Sequence, residues 1–264
     1  MSLSLALPRL AAADAAHDAP AAAHDVSAVS TATATDLVSQ PLHPRRGQLW
    51  IAATIEADLS HNRGGSRAFA PDIAYGITDE TSLSLAHSAR SIARIGSPAG
   101  LCYEACDYRP EYTVNALAHH ALLRRPGLQL YAAGGFLLRD TDPWKPAALA
   151  GAAARWQRGR FAVETAPYLQ LGLANTDQGN RHRLVVPVRA WVQPTCRWAI
   201  GLHTGIEGEL KGFSDAYHGP FAGLVTAAPT PWLQVSLEAG FSSILGPLNT
   251  ASRRFASLSL ELHL

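Results

Sequence analysis

Ala256-Ser257-Leu258-Ser259-Leu260-Glu261-Leu262-His263-Leu264 alternates apolar and polar side chains without a break. Successive side chains of an extended chain point to opposite sides, so Ala256, Leu258, Leu260, Leu262 and Leu264 form one face and Ser257, Ser259, Glu261 and His263 the other. One face suits hydrocarbon and the other suits water. The same period returns near the start of the ordered pattern, where Leu49, Ile51, Ala53, Ile55, Ala57 and Leu59 oppose Gln48, Trp50, Thr54, Glu56 and Asp58. Further on, Phe161, Val163, Pro167, Leu169 and Leu171 oppose Arg160, Glu164, Tyr168 and Gln170, and Trp198, Ile200, Leu202 and Ile206 oppose Arg197, His203, Glu207 and Glu209.

Carried along the chain, this pattern predicts strands near 48–59, 67–77, 80–89, 111–123, 128–139, 144–156, 160–173, 183–193, 196–209, 217–228, 232–243 and 254–264. Short connectors are expected at Thr78-Asp79, Arg124 to Gly127, Gln157 to Gly159, Pro194-Thr195 and Pro229 to Pro231, and longer ones at 60–66, 90–110, 174–182, 210–216 and 244–253. Short and long alternate, with Asp140 to Pro143 short where a long one is due. Tight turns at one end and extended loops at the other are the pattern of an all-β, transmembrane, antiparallel up-and-down barrel of about 12 strands. An even number returns the last strand to the side where the first began, as closure requires.

The chain of 264 residues is 47% hydrophobic and only 16% charged, so it has little charge to present to water. A net charge of +1 without a clustered basic face excludes a nucleic-acid partner. No run approaches the roughly 18 apolar residues of a spanning helix, which leaves a closed barrel as the route across a bilayer. Residues 1–47, rich in Ala, Asp and His and without a sustained period, are expected to be a disordered leader or periplasmic tail. Met1 to Ala15 lacks the basic start and long apolar core of a secretory signal, although Ala11 to Ala15 resembles a cleavage region and so a partial signal. Residues 48–264 are expected to form a single barrel domain.

Period two does not say which face is inside, and a soluble lipocalin-like ligand binder would show the same alternation. Three features favour lipid outside. The polar face is filled largely with Ala, Gly and Ser rather than with solubilising Lys and Glu. Trp156, Trp198 and Trp232 each sit beside a predicted short turn, where an aromatic girdle would meet the membrane interface. The asymmetry of the connectors has no cause in a soluble barrel. The lumen would then be lined by Glu56, Asp58, Asp72, Glu164, Arg183, Arg189, His203, Glu207, Glu238 and Glu261, either paired with one another or setting a field across a pore. A turn at Pro194 to Cys196 would place Arg183 opposite Glu207.

Cys102 and Cys106 lie four residues apart in the longest predicted outer loop and can close a small disulfide ring in an oxidising compartment if the turn brings their Cα atoms within about 7 Å. Cys196 is left beside a short turn. No metal-ligand spacing, cofactor motif or nucleophile elbow is present; His87 and Ser88 are adjacent and would point to opposite faces, and one of His119 and His120 must face outward.

Tyr75-Gly76-Ile77-Thr78-Asp79-Glu80-Thr81-Ser82-Leu83-Ser84-Leu85 resembles a turn recurring in bacterial outer-membrane barrels, including the transporters named after the meta-pathway of phenol degradation. Strand number and turn placement extend the resemblance loosely over 48–264. It departs at the end, since barrels of this class often finish on an aromatic residue and this chain finishes on His263-Leu264. The resemblance implies passage of small hydrophobic compounds. The sequence therefore leads to an expectation of an outer-membrane, porin-like barrel in contact with lipid, non-enzymatic and without cofactor, that passes a small solute; a structural or adhesion barrel and a soluble ligand binder are the alternatives.

Overall fold

A computed structural model describes residues 37–59, 67–86, 101–104, 113–141, 143–247 and 249–264. Its strands are β1 (Leu49–Asp58), β2 (Arg67–Gly76), β3 (Thr81–Ala86), β4 (Leu101–Glu104), β5 (Thr113–Arg125), β6 (Leu128–Thr141), β7 (Trp144–Arg158), β8 (Phe161–Thr165), β9 (Tyr168–Gly172), β10 (Arg183–Thr195), β11 (Trp198–Glu209), β12 (Gly219–Thr230), β13 (Leu233–Leu245) and β14 (Thr250–His263). One short helix, α1 (Phe213–Ala216), sits between β11 and β12. All pairings between these strands are antiparallel, and β1 pairs both β14 and β2, which closes the sheet. β3 and β4 both pair β2, while β8 and β9 both lie between β7 and β10, so fourteen strands fill twelve positions of a closed barrel.

The seventh position is split because Pro167 has no N–H to give to the ladder. Its carbonyl still accepts from Ala152 N at 3.0 Å, so the wall stays continuous across the break. β4 was not expected: part of the stretch read as a long outer loop returns to extend the slot begun by β3. The tight turns fall within two residues of their expected places, with Gly127 and Gly159 supplying the positive φ at two of them (78° and 57°). The connector between β6 and β7 is short, as read from the sequence, but that between β13 and β14 is also short, at 246–249 rather than 244–253.

One register needed correction. The β10–β11 turn is centred on Cys196-Arg197, so Arg183 stands opposite Glu209 and Val185 opposite Glu207. A bulge between Val192 and Thr195 carries the turn further along than Pro194-Thr195. Arg183 and Glu207 meet nonetheless, diagonally, with Nη1 and Oε1 2.9 Å apart.

The faces divide as the alternation requires. Ile55, Leu83, Phe136, Leu202, Leu237, Leu258 and Leu260 point away from the barrel axis and are exposed, Phe136 by as much as 67%. The intervening Thr54, Ser82, Tyr131, Arg155, Glu164, His203, Thr226 and Glu238 are buried. A soluble barrel would reverse this order, so the lipocalin-like alternative is set aside. Outward-facing leucines at this density suit hydrocarbon, where burial by lipid replaces burial by a protein core.

The apolar core is correspondingly small, and part of it involves residues upstream of β1. Leu37 packs with Ala199 and Ala228, and Leu42 packs with Tyr131 and Ala153. The barrel unit thus includes residues 37–47, which the alternation of the strands does not reach.

Candidate functional site

The barrel interior is built from direct neighbours on adjacent strands. Arg155 of β7, Glu164 of β8, Arg189 of β10 and His203 of β11 follow one another in register around the wall. Arg155 Nη2 lies 2.5 Å from Glu164 Oε1, with both side chains buried. His203 Nδ1 lies 2.6 Å from Glu238 Oε1, while Arg189 Nη2 reaches the other oxygen of Glu238 at 3.7 Å. Between charged groups the wall is tied by hydroxyls: Thr54 Oγ1 to Ser259 Oγ at 2.5 Å and Thr226 Oγ1 to Ser236 Oγ at 2.9 Å. Near the end of β14, His263 Nε2 meets Glu261 Oε1 at 2.8 Å and its ring stacks on Trp50 with centroids 4.6 Å apart. Charge inside a wall of low dielectric is thereby held in pairs.

The segment Leu37 to Pro44 runs inside the end of the barrel where the tight turns lie. The Val38 N–H donates to Gln193 Oε1 at 2.9 Å and the Leu42 N–H to Gln129 Oε1 at 3.2 Å. Gln129 Nε2 and Arg155 Nη1 both donate to the Gln40 carbonyl. His43 stacks on His119 with centroids 3.9 Å apart and meets the Tyr131 ring edge-on at 4.8 Å. Burial, followed by the neighbouring His119, Arg155 and Arg124, holds the His43 imidazole well below the usual histidine range. The chain leaves the interior over Gly76, where a Cβ would meet the Arg45 carbonyl oxygen at 1.8 Å, and Gly47 N then donates to Gly76 O at 2.9 Å. Glycine is required there because two backbones touch.

Between this segment and the wall lies a cavity of about 220 Å³. Its lining includes Asp72, Glu164, Glu238 and Glu261 against Arg155 and Arg189, with Trp50, Trp191, His43 and His119 beside them.

The expected lumen residues are distributed accordingly. Asp72, Glu164, Arg189, Glu238 and Glu261 line the cavity; His203, Glu207 and Glu56 are buried on the inner face, and Arg183 is joined to Glu207. Asp58 falls at the end of β1, opposite Phe255, and its side chain lies outside the described residues. Trp156, Trp198 and Trp232 are exposed on the outside beside tight turns, at 46%, 52% and 51%. Trp144, at the opposite end of β7 from Trp156, is exposed as well. His119 is turned inward and His120 outward, where its Nδ1 lies 3.0 Å from Thr81 Oγ1. Cys196 is a free, exposed thiol. Cys106 and the side chain of Cys102 lie outside the described residues, as do His87 and Ser88.

The sequence reading missed His43, Gln40, Gln129 and Gln193. Gln129 and Gln193 carry a usable signal, since both fall in phase with inward positions near tight turns, whereas residues 37–44 carry no period at all.

A closed antiparallel barrel with an apolar exterior, a charge-paired interior and tight turns at one end defines the fold of the outer-membrane β-barrels. Among solved structures the chain is similar to the KdgM porin (7% identity, TM-score 0.57, covering 81% of this chain and 98% of that one) and to the NanC porin (8%, 0.52, 82% and 100%). It is also similar to an outer membrane channel from Pseudomonas putida F1 (12%, 0.52, 84% and 96%). No protein-family model matches the chain, and no curated protein does.

Proposed function

We propose that this chain is an outer-membrane barrel that passes a small solute. One observation carries the reading: a cavity lined by charged and polar groups lies inside a wall whose exterior is leucine, isoleucine and phenylalanine. Porins and channels with the same fold support it. The tight turns then face the periplasm, and Trp156, Trp198 and Trp232 form the girdle at that interface.

The solute is neutral or cationic. Four carboxylates (Asp72, Glu164, Glu238, Glu261) and two guanidinium groups (Arg155, Arg189) line the cavity, so its field opposes a polyanion. That sets it apart from the KdgM porin, which is described in complex with oligogalacturonate. The likeness of Tyr75 to Leu85 to the meta-pathway transporters points further, to a small apolar compound. The inner face supports this with an apolar cluster in which Leu117, Leu137, Leu149 and Tyr168 take part.

Transport is favoured over catalysis by the geometry of a hydroxyl and imidazole pair on the inner face. Ser84 Oγ lies 3.2 Å from His119 Nε2, but among the described residues His119 Nδ1 meets no acceptor, so no carboxylate or carbonyl there supports the imidazole as a base for acyl transfer. The test is reconstitution. A protein that requires detergent, runs anomalously until boiled and conducts in planar bilayers with a preference for potassium over chloride supports the proposal. Recovery as a soluble monomer, or a verified barrel that neither conducts nor admits apolar probes to vesicles, overturns it.

A further inference from the structure

We infer that residues 37–44 form a reversible plug that shuts the tight-turn mouth of the barrel and withdraws to open it. The inference rests on the reading of the barrel as a conduit, and it assigns the closed state to a segment of the chain itself.

Three features show that the segment is seated rather than merely passing through. The wall supplies side chains to its backbone from three separate strands: Gln129 of β6, Arg155 of β7 and Gln193 of β10. Leu37 and Leu42 are buried in separate apolar sockets, one against Ala199 and Ala228 and the other against Tyr131 and Ala153. Gly76 leaves room for Arg45 to cross the rim, which fixes where the segment enters.

Three others show that it can leave. Pro41 and Pro44 keep it from joining the sheet, so no β-ladder has to be broken; a single isolated bridge, Arg46 to Gly76, ties it to the rim. Its withdrawal strands no charge, because Arg155 keeps Glu164 and Arg189 keeps Glu238. The seated state also carries a defect, since among the described residues His43 Nε2 and His119 Nδ1 are buried without hydrogen-bond partners, and both regain water on release. Such a segment opens at lower free energy than the wall that holds it.

The full chain, reconstituted, is examined by hydrogen exchange and by conductance. Amides of 37–44 are expected to exchange at least 100-fold faster than those of β10 and β11, yet at least tenfold slower than an unstructured peptide. Exchange as slow as the wall would make the segment a fixed part of the barrel, and exchange at the unstructured rate would mean that it is never seated; either overturns the inference. In a Cys102→Ser, Cys106→Ser, Cys196→Ala background, Leu37→Cys and Ala228→Cys bridged by a reducible bifunctional thiol reagent should lower conductance at least tenfold, with recovery on reduction. Leu42→Asp should raise the open fraction at least tenfold. Gln193→Ala, which removes the Val38 acceptor and leaves the apolar sockets intact, should shift it the same way should Leu42→Asp not assemble. Conductance indifferent to the bridge overturns the plug. Intermediate exchange together with bilayers that stay silent even for Leu42→Asp and Gln193→Ala overturns conduction instead and leaves the plug standing.

Discussion

Glu164 shows how much the interior depends on single side chains. Its carboxylate neutralises Arg155 where both are buried, so Glu164→Gln leaves a guanidinium in a low-dielectric wall with one partner fewer. Loss of about 3–5 kcal/mol is expected on urea unfolding of the reconstituted barrel. Replacing both partners, as Arg155→Met with Glu164→Leu, should restore most of it, because an apolar pair has no charge to desolvate. His43 brings a pH dependence. Its imidazole faces His119 and Arg124 of β5, the Tyr131 ring of β6, and Arg155 of β7, which is itself paired to Glu164 of β8. The seated imidazole resists protonation, whereas a released one titrates near the ordinary histidine value of 6.5. The contribution of His43 to seating is therefore full above that value and is lost as pH falls below it, at up to roughly tenfold per pH unit until the seated ring itself takes a proton. Hydrogen exchange of 37–44, corrected for intrinsic rate, should accelerate between pH 7 and pH 5, and His43→Phe should remove the effect.

Strands β11 and β14 carry the argument for the lipid face. Trp198, Ile200 and Leu202 of β11 and Leu258 and Leu260 of β14 are exposed, and they alternate with Ala199, His203 and Ser257, which are buried. Leu258 lies midway along β14, between Ile55 and Leu237 on the neighbouring strands. Leu258→Arg should therefore cost about 2–4 kcal/mol in a bilayer, read from unfolding in liposomes, whereas Ser257→Ala on the opposite face should cost little. Equal effects at the two positions would contradict the assignment of inside and outside. The β10–β11 hairpin shows the reach of pattern reading: both strands and their faces were legible, yet the register slipped by two because the chain turns at Cys196-Arg197 rather than around Thr195, and a bulge between Val192 and Thr195 takes up one further residue.

The barrel as a unit adds a selectivity that no strand has alone. Asp72 of β2, Glu238 of β13 and Glu261 of β14 meet Arg189 of β10 across one cavity, although they are far apart along the chain. With the plug withdrawn, potassium should permeate more readily than chloride. Asp72→Asn with Glu261→Gln should reduce that preference at least twofold in reversal-potential measurements, with assembly unchanged, because the field follows the charge lining the passage. No change in reversal potential would mean that the conducting path avoids this cavity.

Alternation at period two is a local property of an extended backbone, and so Ala256 to Leu264 and its counterparts disclosed the strands, their two faces, the tight turns and the closed barrel before any contact was known. Glu164, His203, Glu238 and the other inner-face residues were legible for the same reason. What occupies the lumen was not. Residues 37–44 follow no period, and their partners Gln129 and Gln193 stand 87 and 155 positions away along the chain. Such contacts exist because closure brings β6, β7 and β10 around one axis and turns their side chains toward it. A segment held by side-chain amides and two apolar sockets leaves no repeating mark of its own in the sequence, since its place is set by the wall around it.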